Sequence, residues 1–202
     1  MRVERYTGEG LREVLDDLAR LRVAVFREFP YLYEGSAEYE AGYLHTYLTT
    51  PDSLAVIVRD GDRVVGASTA LPLAAETPEL QAPLVAGGYD VGAVFYLAES
   101  VLLPEYRGRG LGVRFFEERE AHARRLGRFR HAAFCAVQRP VDHPRRPADY
   151  VPLDAFWQRR GYTKHPELST VMTWQDLDEA QESPKPMTFW LKDLGAGGGE
   201  TV

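Results

Sequence analysis

Apolar and polar residues alternate from Arg2 to Tyr6, and the spacing then changes to Leu11, Val14, Leu15, Leu18, Leu21 and Val25. The first pattern has the period of a strand. The second has that of an amphipathic helix, predicted over Leu11 to Phe29 and stopped by Pro30. Tyr39, Tyr43 and Tyr47 recur at i, i+4 and i+8 after Gly35-Ser36 and mark one face of a second helix. β-rich runs at Ser53 to Arg59 and Arg63 to Leu73 flank Asp60-Gly61-Asp62, where Asp-Gly predicts an antiparallel hairpin. Ala74 to Gly92 shows no sustained period and reads as a long loop.

Ala93 to Leu103 is a nearly unbroken apolar run, predicted as one buried central strand ended by Pro104, although Glu99 and Ser100 lie inside it. Leu111 to Leu126 follows as a helix with Leu111, Phe115, His122 and Leu126 on one stripe and Gly127 as its stop. His131 to Gln138 is a further apolar strand, so this β-loop-α-β unit predicts two parallel neighbours joined by a right-handed crossover. Arg139 to Pro152, with Pro140, Pro144, Pro147 and Pro152, reads as irregular. Asp154 is expected to cap a short helix ending at Gly161, Leu168 to Trp174 alternates as a strand, and Met187 to Lys192 adds another. Residues 1–194 read as one domain, and 195–202 as a flexible glycine-rich tail.

Composition narrows the class. The 202 residues are 45% hydrophobic and 27% charged, which is enough apolar surface to build a core and excludes global disorder. The longest charge-free stretch, Val64 to Ala75, is too short to span a bilayer, and the N-terminus has no apolar signal region. A cytoplasmic protein without a membrane partner is expected. The net charge of -6 argues against nucleic acid as a partner. One cysteine, Cys135, excludes an internal disulfide, and His122, His131 and His143 lack metal-ligand spacing, so no metal is expected. Cys135 and His131 share a strand side about 13 Å apart, too far for a nucleophile and its base.

The informative segment is LLPEYRGRGLG, Leu102 to Gly112, between the buried strand and a helix N-terminus. Arg107, Gly110 and Gly112 are spaced as R/Q-x-x-G-x-G, and Gly108 adds another position for close approach. Glycines let the backbone turn tightly against a ligand, while the first free N–H groups of the helix and its dipole attract an anion. A pyrophosphate fits such a site. No Lys-Ser/Thr follows, and the run from Gly108 to Val113 fails G-x-G-x-x-G at its last position, so ATP and NAD readings weaken.

On these residues the chain resembles the GNAT superfamily of N-acetyltransferases, whose acetyl-CoA site has this arginine and glycine spacing after a strand ending in Pro. The likeness extends to the opening strand and two helices, the strand pair Leu54 to Leu73, and DAFWQRRGYTKH as a late helix-Gly-aromatic pattern. It implies an α+β fold of three layers, α/β/α, around a mixed, strongly twisted sheet. It also implies that pantetheine lies in a splay between Ala93 to Leu103 and His131 to Gln138. Backbone amides near Leu102 and Leu103 would hold the pantetheine and the thioester oxygen. Arg107, Gly108, Arg109, Gly110, Leu111 and Gly112 would hold the pyrophosphate.

Acetyl transfer to an amine needs a base for the ammonium proton and an acid for the leaving thiolate. Glu99 is the candidate base, because a carboxylate inside so apolar a run is costly to bury without a task or a partner. The competing reading is a salt bridge to an arginine of a flanking helix. Many family members carry a Tyr four residues before the late Gly, but here Trp157 stands there, and Tyr150 on the adjoining loop is the substitute candidate acid. An ordinary packed tyrosine is its alternative. Phe29, Tyr31 and Tyr33, beside Arg27 and Glu34, lie where the family builds its acceptor wall, with plain packing as the competing role. The expected activity is transfer of acetyl from acetyl-CoA to an amine by direct attack in a ternary complex. A catalytically silent acyl-CoA-binding or sensor module is the alternative. A partner-binding scaffold would need purely structural loop glycines. A small amine, an amino acid, an antibiotic and a protein amine all stay open as acceptors, as do a monomer and a homodimer.

Overall fold

The computed structural model describes residues 1–195, so all of the expected flexible tail except Gly195 lies outside the described residues. The chain runs β1 (Arg2–Tyr6), a 3-10 turn (Gly8–Glu13), α1 (Leu15–Phe26), α2 (Ala37–Thr49), β2 (Leu54–Asp60), β3 (Arg63–Pro72) and α3 (Pro78–Ala86). It continues with β4 (Val94–Tyr96), β5 (Ser100–Leu102), α4 (Leu111–Leu126), β6 (His131–Val137), α5 (Asp154–Gln158), β7 (Thr163–Trp174) and β8 (Ser183–Asp193). The sheet order is β1-β2-β3-β4-β6-β8-β7, with β5 paired to β3 alone. β4 and β6 are parallel, joined through α4, and the other pairs are antiparallel.

Apolar side chains of α1, α2 and α3, including Leu18, Leu21, Leu44, Leu80 and Leu84, pack on one face of the sheet. Phe115 and Phe116 of α4 pack on the other, Phe116 beside Phe156 and Trp157 of α5. Three layers result, α/β/α around a mixed sheet, because each helix has one apolar side to bury. Among the described residues no helix is long and apolar enough to cross a membrane.

Several local features differ from the sequence-based expectation. Leu11 belongs to the 3-10 turn and the first helix ends at Phe26, not Phe29. The expected loop Ala74 to Gly92 contains α3, opened by Thr77 with Pro78 in its first turn. Pro83 inside this helix removes one N–H donor and, with the alanines and glycines around it, blurs the helical period. Asp154 is the first residue of α5 rather than its cap, Leu153 taking that place. β7 starts at Thr163, before the alternating stretch, because a register shift between His165 and Ser169 breaks the period of two. β8 likewise extends beyond Met187 to Lys192 at both ends.

Candidate active site

The largest departure is in the central strand. Ala93 to Leu103 is not one strand but β4 and β5, split at Leu97-Ala98-Glu99. Leu71 pairs with Tyr96, whereas Ser68 pairs with Ser100, so the register against β3 shifts by one residue. Ala98 N–H donates to Thr69 O (3.1 Å) while Thr69 N–H donates to Glu99 O (3.0 Å), which places two residues opposite one, a β-bulge. The bulge reverses side-chain parity. Glu99 and Val101 thereby join Val94 and Tyr96 on the face under α1 and α2.

Beyond the bulge β5 stays with β3 and leaves β6: the last bond across to β6 is Leu97 N–H to Ala133 O, 2.8 Å. A gap therefore opens between two strands that start as parallel neighbours. Leu103 N–H is spent on Val65 O (3.0 Å), so it is not free for a ligand, contrary to expectation. By the alternation of an antiparallel ladder the Gly66–Leu102 pair is non-bonded, and Leu102 turns its N–H and C=O away from β3. Its C=O accepts from Arg107 Nε at 3.1 Å.

Arg119 of α4 holds the bulge. Its side chain is 1% exposed and has no carboxylate partner among the described residues. It donates to Phe115 O (3.1 Å), Thr69 O (3.3 Å), Glu99 O (3.1 Å) and Ser100 Oγ (2.9 Å). Burial lowers this guanidinium to about 10. A buried cation is tolerated here because carbonyl oxygens surround it.

At the mouth of the gap lies the loop from Pro104 to Gly110. Gly108 (φ +74°) and Gly110 (φ +80°) adopt left-handed backbone, and a Cβ on either would meet nothing within 4 Å. That is an open cradle. Gly110 precedes α4, whose first turn has no side-chain cap. Arg114 N–H takes Gly110 O at 3.1 Å, which leaves the N–H groups of Leu111, Gly112 and Val113 without helical partners. Gly112 is different: a Cβ there would lie 3.3 Å from Phe156 Cζ, so this glycine serves the packing of α4 on α5. Arg109 donates to Glu105 O (2.8 Å) and lies over the Tyr106 ring. Arg107 pairs with Glu28 at 2.8 Å, joining the loop to the end of α1.

Under α1 and α2 the bulge residue enters an acidic, tyrosine-rich cluster. Arg22 of α1 pairs with Glu40 of α2 and with Glu99, the latter at 2.5 Å. Tyr43 donates to Glu99 Oε2 (3.0 Å) and contacts the Tyr47 hydroxyl (3.0 Å), and the Arg22 guanidinium lies 4.2 Å from the Tyr43 ring centre. Glu99 is thus paired with an arginine of a flanking helix, the competing reading above. The Oε1 atoms of Glu40 and Glu99 are buried without a hydrogen-bond partner among the described residues. Burial, then the Glu99 charge, push Tyr43 and Tyr47 well above the usual tyrosine range. Glu76, half-buried just after β3, is raised to about 7 by burial and by the charge of Glu99.

Tyr31 is raised by burial and lies within electrostatic reach of Cys135, Arg22, Glu99 and Tyr150. Phe29 meets Tyr150 edge-on, ring centres 4.7 Å apart, with Arg146 over the Tyr150 ring at 4.8 Å. Tyr33 sits beside Glu40 on the Arg22 side. The segment is pinned by Arg139, which donates to Pro30 O and Tyr31 O at 2.7 Å each and pairs with Asp176. Trp174 Nε1 adds a bond to Tyr31 O at 3.0 Å. The structure therefore brings Phe29, Tyr31, Glu99 and Tyr150 to one side of the gap. Trp157 belongs to the opposite face, against Phe134 and Trp190. Cys135 bonds with the Tyr96 hydroxyl at 3.0 Å, and burial pushes its thiol up to about 12, which makes it inert as a nucleophile.

Sequence reasoning missed Arg22, Glu40, Glu76, Arg119 and Arg139. Arg22 and Glu40 had a faint signal as charges on otherwise apolar helix faces. The others lie where only the fold brings them together. Chemically, the arrangement offers an anion cradle, a free backbone amide in a gap between strands, and a carboxylate near neutrality beside a buried acidic cluster. Among the described residues no group of three or more His, Cys, Asp or Glu side chains could hold a metal ion.

The model described as the Acetyltransferase (GNAT) family matches residues 17–148. No curated protein matches the chain. Among solved structures, a ribosomal-protein-alanine N-acetyltransferase from Brucella melitensis aligns with a TM-score of 0.61 at 13% identity, over 96% of this chain and 99% of that one. The loading GNATL domain of CurA from Lyngbya majuscula gives 0.61 at 16% identity, over 96% and 98%. An aminoglycoside 6'-N-acetyltransferase complexed with coenzyme A gives 0.59 at 15% identity, over 96% and 98%. At these identities the likeness is one of fold.

Proposed function

Because the chain belongs to the acetyltransferase (GNAT) family, we propose that this acyltransferase moves the acetyl group of acetyl-CoA to an amine acceptor within a ternary complex. The observation that carries this reading is the gap between β5 and β6, with an open glycine cradle and an uncapped helix N-terminus at its mouth. A pantetheine and a diphosphate have matching chemistry, one an extended chain of amides and the other an anion. Gly108, Gly110 and the first N–H groups of α4 hold the diphosphate, with Arg107 and Arg109 flanking it. Leu102 N–H, turned into the gap, binds the pantetheine or the thioester oxygen.

Acetyl-CoA supplies, when bound, a thioester whose carbonyl carbon an amine can attack. The protein's task is to orient the amine, take a proton from its ammonium form and return one to the departing sulfur. The wall formed by Phe29, Tyr31 and Tyr33 orients the acceptor. A carboxylate of the cluster containing Glu40, Glu76 and Glu99 takes its proton. Tyr150, half-buried against Phe29, hands a proton to the thiolate.

Thiol release from acetyl-CoA, followed over a panel of amines, tests this reading. The panel should include an N-terminal alanyl peptide and an aminoglycoside, the acceptor classes named for two of the similar structures. Amine-dependent thiol release supports the transferase. Binding of acetyl-CoA without turnover of any acceptor favours the silent sensor, and no binding removes both readings.

A further inference from the structure

Helix α4 bears on both ends of the proposed acetyl-CoA site. Its N-terminus forms part of the cradle, and Arg119 lies eight residues past Leu111, about 12 Å further along the helix axis. At that second point the helix grips the bulge. Arg119 Nη1 donates to the two carbonyls that define the bulge, Thr69 O (3.3 Å) and Glu99 O (3.1 Å), while Nη2 donates to Ser100 Oγ (2.9 Å) at the start of β5. Nε is tied back to Phe115 O of the same helix (3.1 Å), so the guanidinium cannot swing off the strand without losing that bond. A further contact lies nearer the cradle. A Cβ on Gly66 would sit 2.5 Å from Leu102 Cδ1 and 3.4 Å from Phe115 Cζ, so the Leu102 side chain lies over β3 beside α4. Ala98 N–H and Thr69 N–H already give Thr69 O and Glu99 O one backbone partner each, so the bulge does not need Arg119 to satisfy its carbonyls. An apolar side chain of similar volume would fill the same buried space at lower cost than a cation. What only the arginine adds is a rigid link between the bulge and α4.

Resting on the proposed function, in which acetyl-CoA lies in this gap, we propose that Arg119 is the positioning residue for the pantetheine arm: it fixes the bulge to α4 and thereby holds Leu102 N–H at a set distance from the diphosphate cradle. At 1% exposure Arg119 does not itself enter the gap. It acts through the bulge, which turns β5 away from β6 once Leu97 N–H has bonded to Ala133 O. A guanidinium suits this role because its planar fork reaches several acceptors in fixed directions, which a single ammonium does not. With the link cut, the bulge keeps its two backbone bonds, but β5 is free to shift against α4. A ligand that spans cradle and gap then loses its fit at the far point. One that occupies the cradle alone does not.

The test is calorimetric titration with two ligands: acetyl-CoA, and 3'-phospho-ADP, the part of CoA that keeps the diphosphate and lacks pantetheine. Wild type should bind both. Arg119→Met should bind 3'-phospho-ADP as wild type does and acetyl-CoA about tenfold more weakly, the worth of one hydrogen bond to the arm. Arg119→Lys keeps a buried cation without the fork and should show the same selective loss at about threefold. Circular dichroism establishes that each variant is folded. Both bulge carbonyls keep a backbone donor, so Arg119→Met should be; if it is not, the ratio measured on Arg119→Lys decides alone. A merely structural arginine would lower the melting temperature and leave the ratio of the two affinities as in wild type. An unchanged ratio in the folded variants, including equal weakening of both ligands, would overturn the proposal, while binding by wild type would still support the acetyl-CoA site. A wild type that binds neither ligand would remove the acetyl-CoA reading and the positioning role with it.

Discussion

The loop that opens α4 is exposed and built of backbone, with Gly108 and Gly110 leaving free space and N–H groups waiting at a helix end. The acidic cluster beneath α1 and α2 is closed and built of side chains drawn from α1, α2, the turn after β3, and the bulge. A site made of backbone needs only a short run of residues in the right order. A site made of distant side chains needs the whole fold, and it binds its charges firmly to one another, Arg22 holding both Glu40 and Glu99.

The sharpest way to break the contrast is to remove the charge that holds the cluster. Arg22→Met leaves Glu40 and Glu99 buried without a countercharge and should cost about 3–5 kcal/mol of stability, read by denaturant unfolding. A loss under about 1 kcal/mol would mean that the pair is solvated and the cluster open. Next in size is the proposed acid. Tyr150→Phe should lower turnover by about 10²-fold with acetyl-CoA affinity unchanged, and a normal rate would transfer that role to solvent or another group.

The smallest effect concerns stability against pH. Glu76 in the folded chain lies above its unfolded value, so its contribution is complete below about pH 4.5 and is lost as pH rises through about 7. Glu76→Gln escapes that loss. Its stability relative to wild type should improve by about 1–3 kcal/mol between pH 4 and pH 8, partial exposure trimming the full linkage value. An unchanged difference would show that Glu76 is solvated and unperturbed.

The same contrast explains what could be read from the sequence. Helix α4 was legible to the residue, because Gly110 and Gly127 both need left-handed backbone at its two ends. The hairpin at Gly61 and the parallel pairing of β4 with β6 were legible for similar local reasons. The bulge was not, since an apolar run has the same composition with or without an extra residue, and it alone decides which face Glu99 occupies. An arginine partner for Glu99 could be foreseen as a type of contact, but nothing in the spacing pointed to Arg22. Glu76 stayed hidden because its surroundings, including α3 with its internal Pro83, read as featureless loop.

Calorimetric titration of acetyl-CoA into wild type, Gly110→Val and Glu76→Gln tests most directly whether acetyl-CoA is bound by the exposed loop and not by the buried cluster. A valine at φ +80° is strained and its side chain would fill the cradle. Wild type and Glu76→Gln should bind with equal affinity, and each should gain about 2.7 kcal/mol of stability at a hundredfold excess over the dissociation constant. Gly110→Val should give no heat while remaining folded. Absence of heat from wild type, or binding by Gly110→Val that matches it, would contradict the account.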